Sequence, residues 1–435
     1  MNSLTIFALI LFVVTYVLMF AFEKIRPYVA VSSAIIFVIV GSLHIFDGFD
    51  YSFLDALSQI DWNVLMMITG TMGTVYLFIE SSMPQLLSDI LVSKVHSVKW
   101  LVVVMSLFAG VISAFVDNVA TVLMVAPVGL AICKKLKINP VPAIISIAVS
   151  SNLQGAATLV GDTTSILLGG YANMSFIDFI WWQGKPSIFF AVELGALGTV
   201  AILYGIFHKE KQPVEAGELT KVSDYVPGIT LLMVVVLLII ASFFTIPVID
   251  DYKNGLICLI LCIFLLVRSC IKNKGFEGVK GVVKSLDYET IFTLCGLFIV
   301  IAAINKAGVI DAIAGWFATL GNGNVFMLYT VIVVASVVLS AFIDNIPYVA
   351  AMLPVVQGIS VKLGISPEVL YFGLLTGATL GGNITPFGAS ANVAGIGILK
   401  KEGYEVKNSD FFKIGIPFTL TAVVIGYLFI WFVWG

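Results

Sequence analysis

The stretch "SAFVDNVATVLMVAPV", Ser113 to Val128, returns as "SAFIDNIPYVAAMLPV", Ser340 to Val355, with eight of sixteen positions identical at a constant offset of 227. The same offset aligns "LQGAATLVG" from Leu153 with "LGGNITPFG" from Leu380, pairing Gly155 with Gly382, Thr158 with Thr385 and Gly161 with Gly388. Upstream, Asp61 and Gly70 match Asp287 and Gly296 at offset 226; downstream, Gly184-Lys185-Pro186 matches Gly415-Ile416-Pro417 at offset 231. Two halves of about 210 residues therefore share one plan, and any fold for this chain must be built twice.

What surrounds the repeats decides the solvent. The chain is 60% hydrophobic and 11% charged, and it carries many apolar runs of about 20 residues, the length that crosses a bilayer. The fold class is an all-α polytopic membrane protein. The first apolar run, Leu4 to Phe22, lacks a basic leader and a small-residue cleavage site, so it reads as a retained helix. Each half reads as three apolar helices, an interrupted pair around the Asp-Asn, a second interrupted segment around the Gly-Thr-Gly run, and a last helix. Residues 1–207 form the first membrane repeat, 208–226 a charged cytoplasmic linker, and 227–435 the second repeat. No soluble domain is evident, and nothing indicates nucleic-acid binding.

Lys and Arg orient the chain. If the segments holding Asp117 and Asp344 are hairpins that return to the side they left, one face carries 19 of the 23 basic residues. The other keeps Lys185, Lys253, Lys306 and Lys362. Under the positive-inside rule this predicts five full crossings per half plus one re-entrant hairpin, with both termini outside the cytoplasm. Five is odd, so the repeats are inverted: about ten crossings, two re-entrant hairpins and two broken helices in all. The two hairpins then open from opposite sides, the geometry of an alternating-access transporter.

A carboxylate inside a membrane is costly unless it meets water, an ion or a partner. Asp117-Asn118 and Asp344-Asn345, preceded by Ser113 and Ser340, stand at equivalent positions and are the expected sodium ligands. A plainer role is also available, since Asp and Asn cap helices by accepting their free N–H groups. Capping and ion binding can coexist. The complementary breaks, "SSNLQGAATLVGDTTS" and "GATLGGNITPFGASAN", contain Asn152, Gly155, Thr158, Gly161, Asp162 and Ser165 in the first half. In the second they contain Gly382, Asn383, Thr385, Gly388, Ser390 and Asn392. Glycines alone would only let helices pack closely; joined to these polar residues they read as a lined cavity for substrate and ion.

None of the 23 Lys and Arg residues lies in these motifs, so the sequence shows no built-in counter-ion. The expected coupling ion is Na+ or H+, with no other cofactor. An accompanying anion would be held by helix N-termini, Thr and Asn groups and the bound cation, with no arginine clamp. Glu193 reads either as a relay or as a group pointing into protein or toward the interface, Glu80 and Lys306 as snorkelling helix-end groups, and His44, His96 and His208 as solvated helix ends. The five cysteines show no metal-ligand spacing and read as small apolar filler. Trp181, Trp182, Trp431 and Trp434 fit an interfacial belt. No His-Glu-x-x-His or Gly-x-Ser-x-Gly pattern suggests an enzyme.

In Ser113–Val128, Ser151–Gly170, Ser340–Val355 and Gly377–Gly397 the chain resembles the ArsB/NhaD-type ion transporter superfamily, and within it the citrate and anion permeases similar to the pigment-cell P protein. The resemblance implies inverted repeats with re-entrant hairpins, a homodimer, and secondary transport of anions or sodium/proton exchange. Related dicarboxylate carriers use Ser-Asn-Thr at the hairpin tip, where this chain has Asp117-Asn118-Val119 and Asp344-Asn345-Ile346. P-protein-like members usually show Gly-Asp-Pro-Pro-Asn in the first break, where this chain has Gly161-Asp162-Thr163-Thr164-Ser165, and Gln154 stands where Gly is usual. The expected function is a secondary transporter moving a small anion with Na+ or H+ across a bacterial inner membrane. The alternatives are a Na+/H+ antiporter without an anion and an arsenite-type efflux permease.

Overall fold

In the computed structural model, residues 2–210, 212–214, 219–245, 247, 249–320 and 324–435 are described. The first repeat folds as α1 (Ser3–Ala21), α2 (Arg26–Ser42), α3 (Phe53–Ser58), α4 (Trp62–Glu80), α5 (Met83–Ser93), α6 (Val98–Ser113), α7 (Asn118–Lys135), α8 (Val141–Gly155), α9 (Thr163–Tyr171) and α10 (Ile188–Phe207). The second repeats the order as α11 (Val226–Ala241), α12 (Lys253–Asn273), α13 (Glu277–Ser285), α14 (Tyr288–Lys306), α15 (Val309–Leu320), α16 (Val325–Ser340), α17 (Asn345–Leu363), α18 (Glu368–Gly381), α19 (Ser390–Lys401) and α20 (Asn408–Trp434). One two-residue strand pair, Trp181–Trp182 with Lys185–Pro186, is the only sheet among the described residues.

Eight helices among the described residues are long and apolar enough to cross a membrane. The protein is an integral, multi-pass membrane protein. Its outward helices expose Ile10, Val17, Leu232 and Phe432, side chains that lipid accepts and water would not. Four short helices per pair of repeats lie beyond the sequence expectation: α3 and α5, with their counterparts α13 and α15. At 6 to 12 residues they are too short to register as crossings.

Matched caps explain part of the repeat. Asp61 Oδ1 accepts from Val64 N at 3.0 Å to start α4, and Asp287 Oδ1 accepts from Thr290 N at 3.0 Å to start α14. Each carboxylate satisfies an N–H that helix geometry leaves unpaired.

The repeats interlock rather than sit side by side. Helix α2 packs on α14 and α12 on α4; α7 packs on α19 and α17 on α9; α10 packs on α20. Every such contact has its counterpart with the repeats exchanged, as two inverted copies around one pseudo-two-fold axis require. At the centre stand α8, buried at every residue but Pro142, and α18, buried throughout. A helix that is apolar all round and ends in a polar break belongs in the interior.

The described residues of the stretch 208–226 are tied to α5, α6 and α12. Lys99 N donates to Glu210 O at 3.0 Å, Val98 N to Gln212 O at 3.1 Å, and Thr220 N to Asp89 Oδ2 at 2.8 Å. Asp224 accepts from Arg268 Nη2 at 3.2 Å and from Lys272 Nζ at 2.9 Å. Residues 211 and 215–218 of the linker lie outside the described residues.

Candidate functional site

Chain breaks build the site. Asp117 stands between α6 and α7, and its Oδ1 accepts from Val119 N at 3.0 Å and Ala120 N at 3.1 Å. Asp344 stands between α16 and α17 and accepts from Ile346 N at 3.0 Å. Its next position is Pro347, which has no N–H to give. Both carboxylates therefore cap, as the plainer reading expected, and neither is used up by capping.

The breaks after α8 and α18 dock onto these tips. Thr158 Oγ1 donates to Ala114 O, and its counterpart Thr385 Oγ1 donates to Ala341 O. A Cβ on Gly161 would lie 2.5 Å from Gly155 O and 2.7 Å from Ser113 O; one on Gly388 would lie 2.7 Å from Gly382 O and 2.9 Å from Ser340 O. Those atoms are backbone and cannot step aside, so the repeated glycines answer to close approach. Ser165 Oγ donates to Gly155 O at 3.4 Å, while Asn392 Nδ2 donates to Gly382 O and Thr385 O at 3.1 Å each. Ser340 Oγ donates to Ala378 O, and Ser151 Oγ donates to Ser113 Oγ at 3.1 Å. Ser113, Thr158, Ser165, Ser340, Thr385 and Asn392 thus hold the breaks closed on themselves.

The two halves meet through amides. Asn118 Nδ2 donates to Asn152 Oδ1 at 3.0 Å, and Asn152 Nδ2 donates to Thr379 O at 2.7 Å and Asn383 Oδ1 at 3.1 Å. Asn383 Nδ2 reaches Val149 O at 2.9 Å. Asp162 accepts from Thr164 Oγ1 at 2.7 Å and faces Asn345 Nδ2 at 3.4 Å. At offset 227 its counterpart is Ala389, so this carboxylate belongs to the first repeat alone.

A cavity of about 460 Å³ brings together Asp117, Asn118, Asp162, Thr163, Asn345 and Ser390, with Asp287 at the start of α14. A second, of about 280 Å³, contains Asp344 and shares Asp287, Thr290, Ile346 and Ser390 with it. There the sequence reading is corrected. Arg26 Nη1 lies 3.0 Å from Asp344 Oδ2, and Lys24 lines the same cavity. A counter-ion is built in, carried to the site from 318 residues away by the first turn of α2. Among the described residues no ion pair forms at Asp117, whose repeat counterpart to Arg26 is Tyr252 at offset 226. Sequence reasoning also passed over Asp287; its match to Asp61 was visible, its place in the cavity was not.

The larger cavity has a shadow on the opposite face. It is walled by Met72, Val75, Tyr76, Ile79 and Ser285. A cavity of about 320 Å³ is walled by Phe298, Ile301, Ala302, Asn305 and Gln59, their counterparts at offset 226. Asp287 in the first answers to Asp61 in the second. Asp287 begins α14 and Asn305 ends it, roughly 27 Å apart at 1.5 Å per residue. The second cavity stops at Leu167, Leu353 and Pro354, and none of Asp117, Asp162 or Asp344 lines it. Of these two cavities, only the one at Asp287 reaches the site carboxylates Asp117 and Asp162.

Paired helix breaks facing a buried polar centre, inside a bundle of membrane-length helices, define a membrane transporter. The chain belongs to the citrate transporter family, whose model matches residues 16–377 and 255–435. It is 29% identical to an uncharacterised transporter of Mycobacterium tuberculosis, over 98% of each chain. It is 25% identical to the P protein of Homo sapiens, over 86% of this chain and 54% of that one. The crystal structure of the Alcanivorax borkumensis YdaH transporter shares the fold, with a TM-score of 0.63 at 15% identity over 93% of this chain and 97% of that one.

Proposed function

We propose that the protein is a secondary active transporter that moves a small anion across a bacterial inner membrane, coupled to Na+ or H+, by alternating access. The observation that carries this reading is the convergence of Asp117, Asp162 and Asn345 from both repeats on one cavity, matched by a cavity of equivalent walls that none of Asp117, Asp162 or Asp344 lines. Inverted repeats exchange such states by exchanging roles. Ser390 and the amides of Asn118 and Asn345 can hold an anion once a cation has offset the carboxylates. Asp117, with Asn118 beside it, offers oxygen ligands of the kind Na+ takes; Asp344 and Asn345 form its counterpart. The family's description as citrate transporters supports a carboxylate cargo.

A second reading is favoured by the excess of carboxylates. Asp117, Asp162, Asp287 and Asp344 face two connected cavities that hold Lys24 and Arg26 as basic groups. That balance also suits a Na+/H+ antiporter with no anion. Electrical recording from protein reconstituted in liposomes separates the two. Under an imposed Na+ or H+ gradient, current or uptake that needs citrate, succinate or phosphate supports the anion carrier. Sodium-for-proton exchange in their absence supports the antiporter.

A further inference from the structure

The ion pair between Arg26 and Asp344 sits in a cavity wall, with side-chain exposures of 13% and 18%. It is sheltered enough to be strong and open enough to be reached. Arg26 is held at the start of α2, where its Nε donates to Met19 O at 3.2 Å, so the guanidinium is anchored while its outer nitrogen meets the carboxylate. The surroundings are acidic: Asp287 and Glu289 line the same cavity. An anion entering alone would meet three carboxylates around one guanidinium and one ammonium group.

We propose that Arg26 is the anion-binding group of this transporter, and that it passes from Asp344 to a carboxylate of the entering anion when Asp344 takes up the coupling cation. The proposal rests on the cation-coupled anion reading given above. It follows from charge balance. While Arg26 pairs with Asp344, the pair is neutral, and neither partner favours an ion of its own. A cation on Asp344 takes that carboxylate's hold off the guanidinium Nη1, and the planar fork suits a carboxylate in its place. An anion on Arg26 in turn frees Asp344 for the cation. Each ligand thereby strengthens the other, and the two effects must be equal. The order follows from the acidic lining: the cation binds first, because an anion entering alone meets three carboxylates against two basic groups. Among the described residues Asp117 has no such partner, so the first repeat can take a cation without this exchange.

The test is equilibrium binding of radioactive sodium to the purified full-length protein, with and without citrate, for the parent, Arg26→Gln and Arg26→Lys. In the parent, citrate is expected to tighten sodium binding about tenfold, within the usual range of coupling between sites. Arg26→Gln removes the competitor of the cation, so sodium should bind more tightly without citrate and gain nothing from it. A tie that only holds helices together would weaken both ligands and would not split them in this way. Arg26→Lys keeps the charge but loses the fork; should Arg26→Gln not fold, reduced citrate stimulation with near-parental sodium affinity in Arg26→Lys supports the exchange. Unchanged sodium affinity with citrate stimulation intact in Arg26→Gln, or full stimulation in Arg26→Lys, contradicts it. If citrate, succinate and phosphate all leave sodium binding to the parent unchanged, the sodium-coupled anion reading fails, and the exchange with it.

Discussion

Asn152 donates a hydrogen bond to the carbonyl oxygen of Thr379 at 2.7 Å, and Thr379 is its own counterpart 227 residues further on. Two equivalent residues can touch only beside the axis that exchanges them. The pseudo-two-fold axis therefore passes between α8 and α18 where they break, and the polar centre of the protein lies on it.

Asn152 also ties Asn118 to Asn383. Asn152→Ala strands buried polar groups on three elements, at a cost of about 3 kcal/mol. A lower unfolding temperature in detergent and loss of transport are expected. A parental unfolding temperature would show that water takes over these contacts.

The close approach of Gly161 to Ser113 O and Gly155 O makes Gly161→Ala, and Gly388→Ala in the second repeat, destabilising by about 3 kcal/mol or more. Gly205→Ala is the control. Nothing lies within 4 Å of a Cβ there, and a helical glycine replaced by alanine gains roughly 0.5–1 kcal/mol. Thermal unfolding of the three variants should separate them in sign.

Gln154, unexpected where glycine is usual, fills the space over Gly110: a Cβ on Gly110 would meet its side chain at 2.5 Å. In the second repeat the sizes are exchanged, with Gly381 lying under Val337. Gly110→Val alone should be strongly destabilising, and Gln154→Gly in the same chain should restore stability. A double-mutant cycle is expected to give at least about 1.5 kcal/mol of coupling; additive effects would contradict the exchange.

Asp224 pins the linker. Burial alone would raise its pKa, but hydrogen bonds from Arg268 and Lys272 outweigh that and hold the carboxyl well below the usual carboxylate range. A lowered folded value means the tie stabilises above the unfolded pKa of about 3.9 and weakens as pH falls from there. Protease cleavage of the linker should be slow at neutral pH and rise in strongly acidic buffer. Asp224→Asn should be cleaved readily at neutral pH.

The paired cavities predict labelling. In sealed vesicles Tyr76→Cys should react with a membrane-impermeant maleimide from the face that carries Asp224, and Asn305→Cys from the other. Substrate and cation turnover should change the two rates in opposite directions. Parallel changes would speak against alternating access.

The repeat makes much of this visible in the sequence. A carboxylate that recurs at constant offset inside an apolar run marks a break, and Gly155, Gly161, Gly382 and Gly388 mark the segments that press on it. What could not be read was which side chains from distant helices complete the site. Arg26 lies in an ordinary basic turn, and only the packing of α2 against α14, with α17 beside α14, carries it to Asp344. Roles within the breaks were also hidden. Thr158 and Asn392 look alike as ligands in sequence, yet Thr158 Oγ1 and Asn392 Nδ2 donate to backbone carbonyls, while Asn392 Oδ1 is buried without a protein partner among the described residues. Pattern reports that a polar residue is inside; it does not report what it faces.

Cation coupling in the proposed carrier rests on Asp117 and Asp344. The most direct measurement is sodium and proton flux in sealed liposomes, with and without citrate, for the parent, Asp117→Asn and Asp344→Asn. Cation-driven citrate flux in the parent, lost in both variants while their folding is retained, is the predicted result. Parental flux in both variants would reduce the two carboxylates to helix caps and contradict the mechanism.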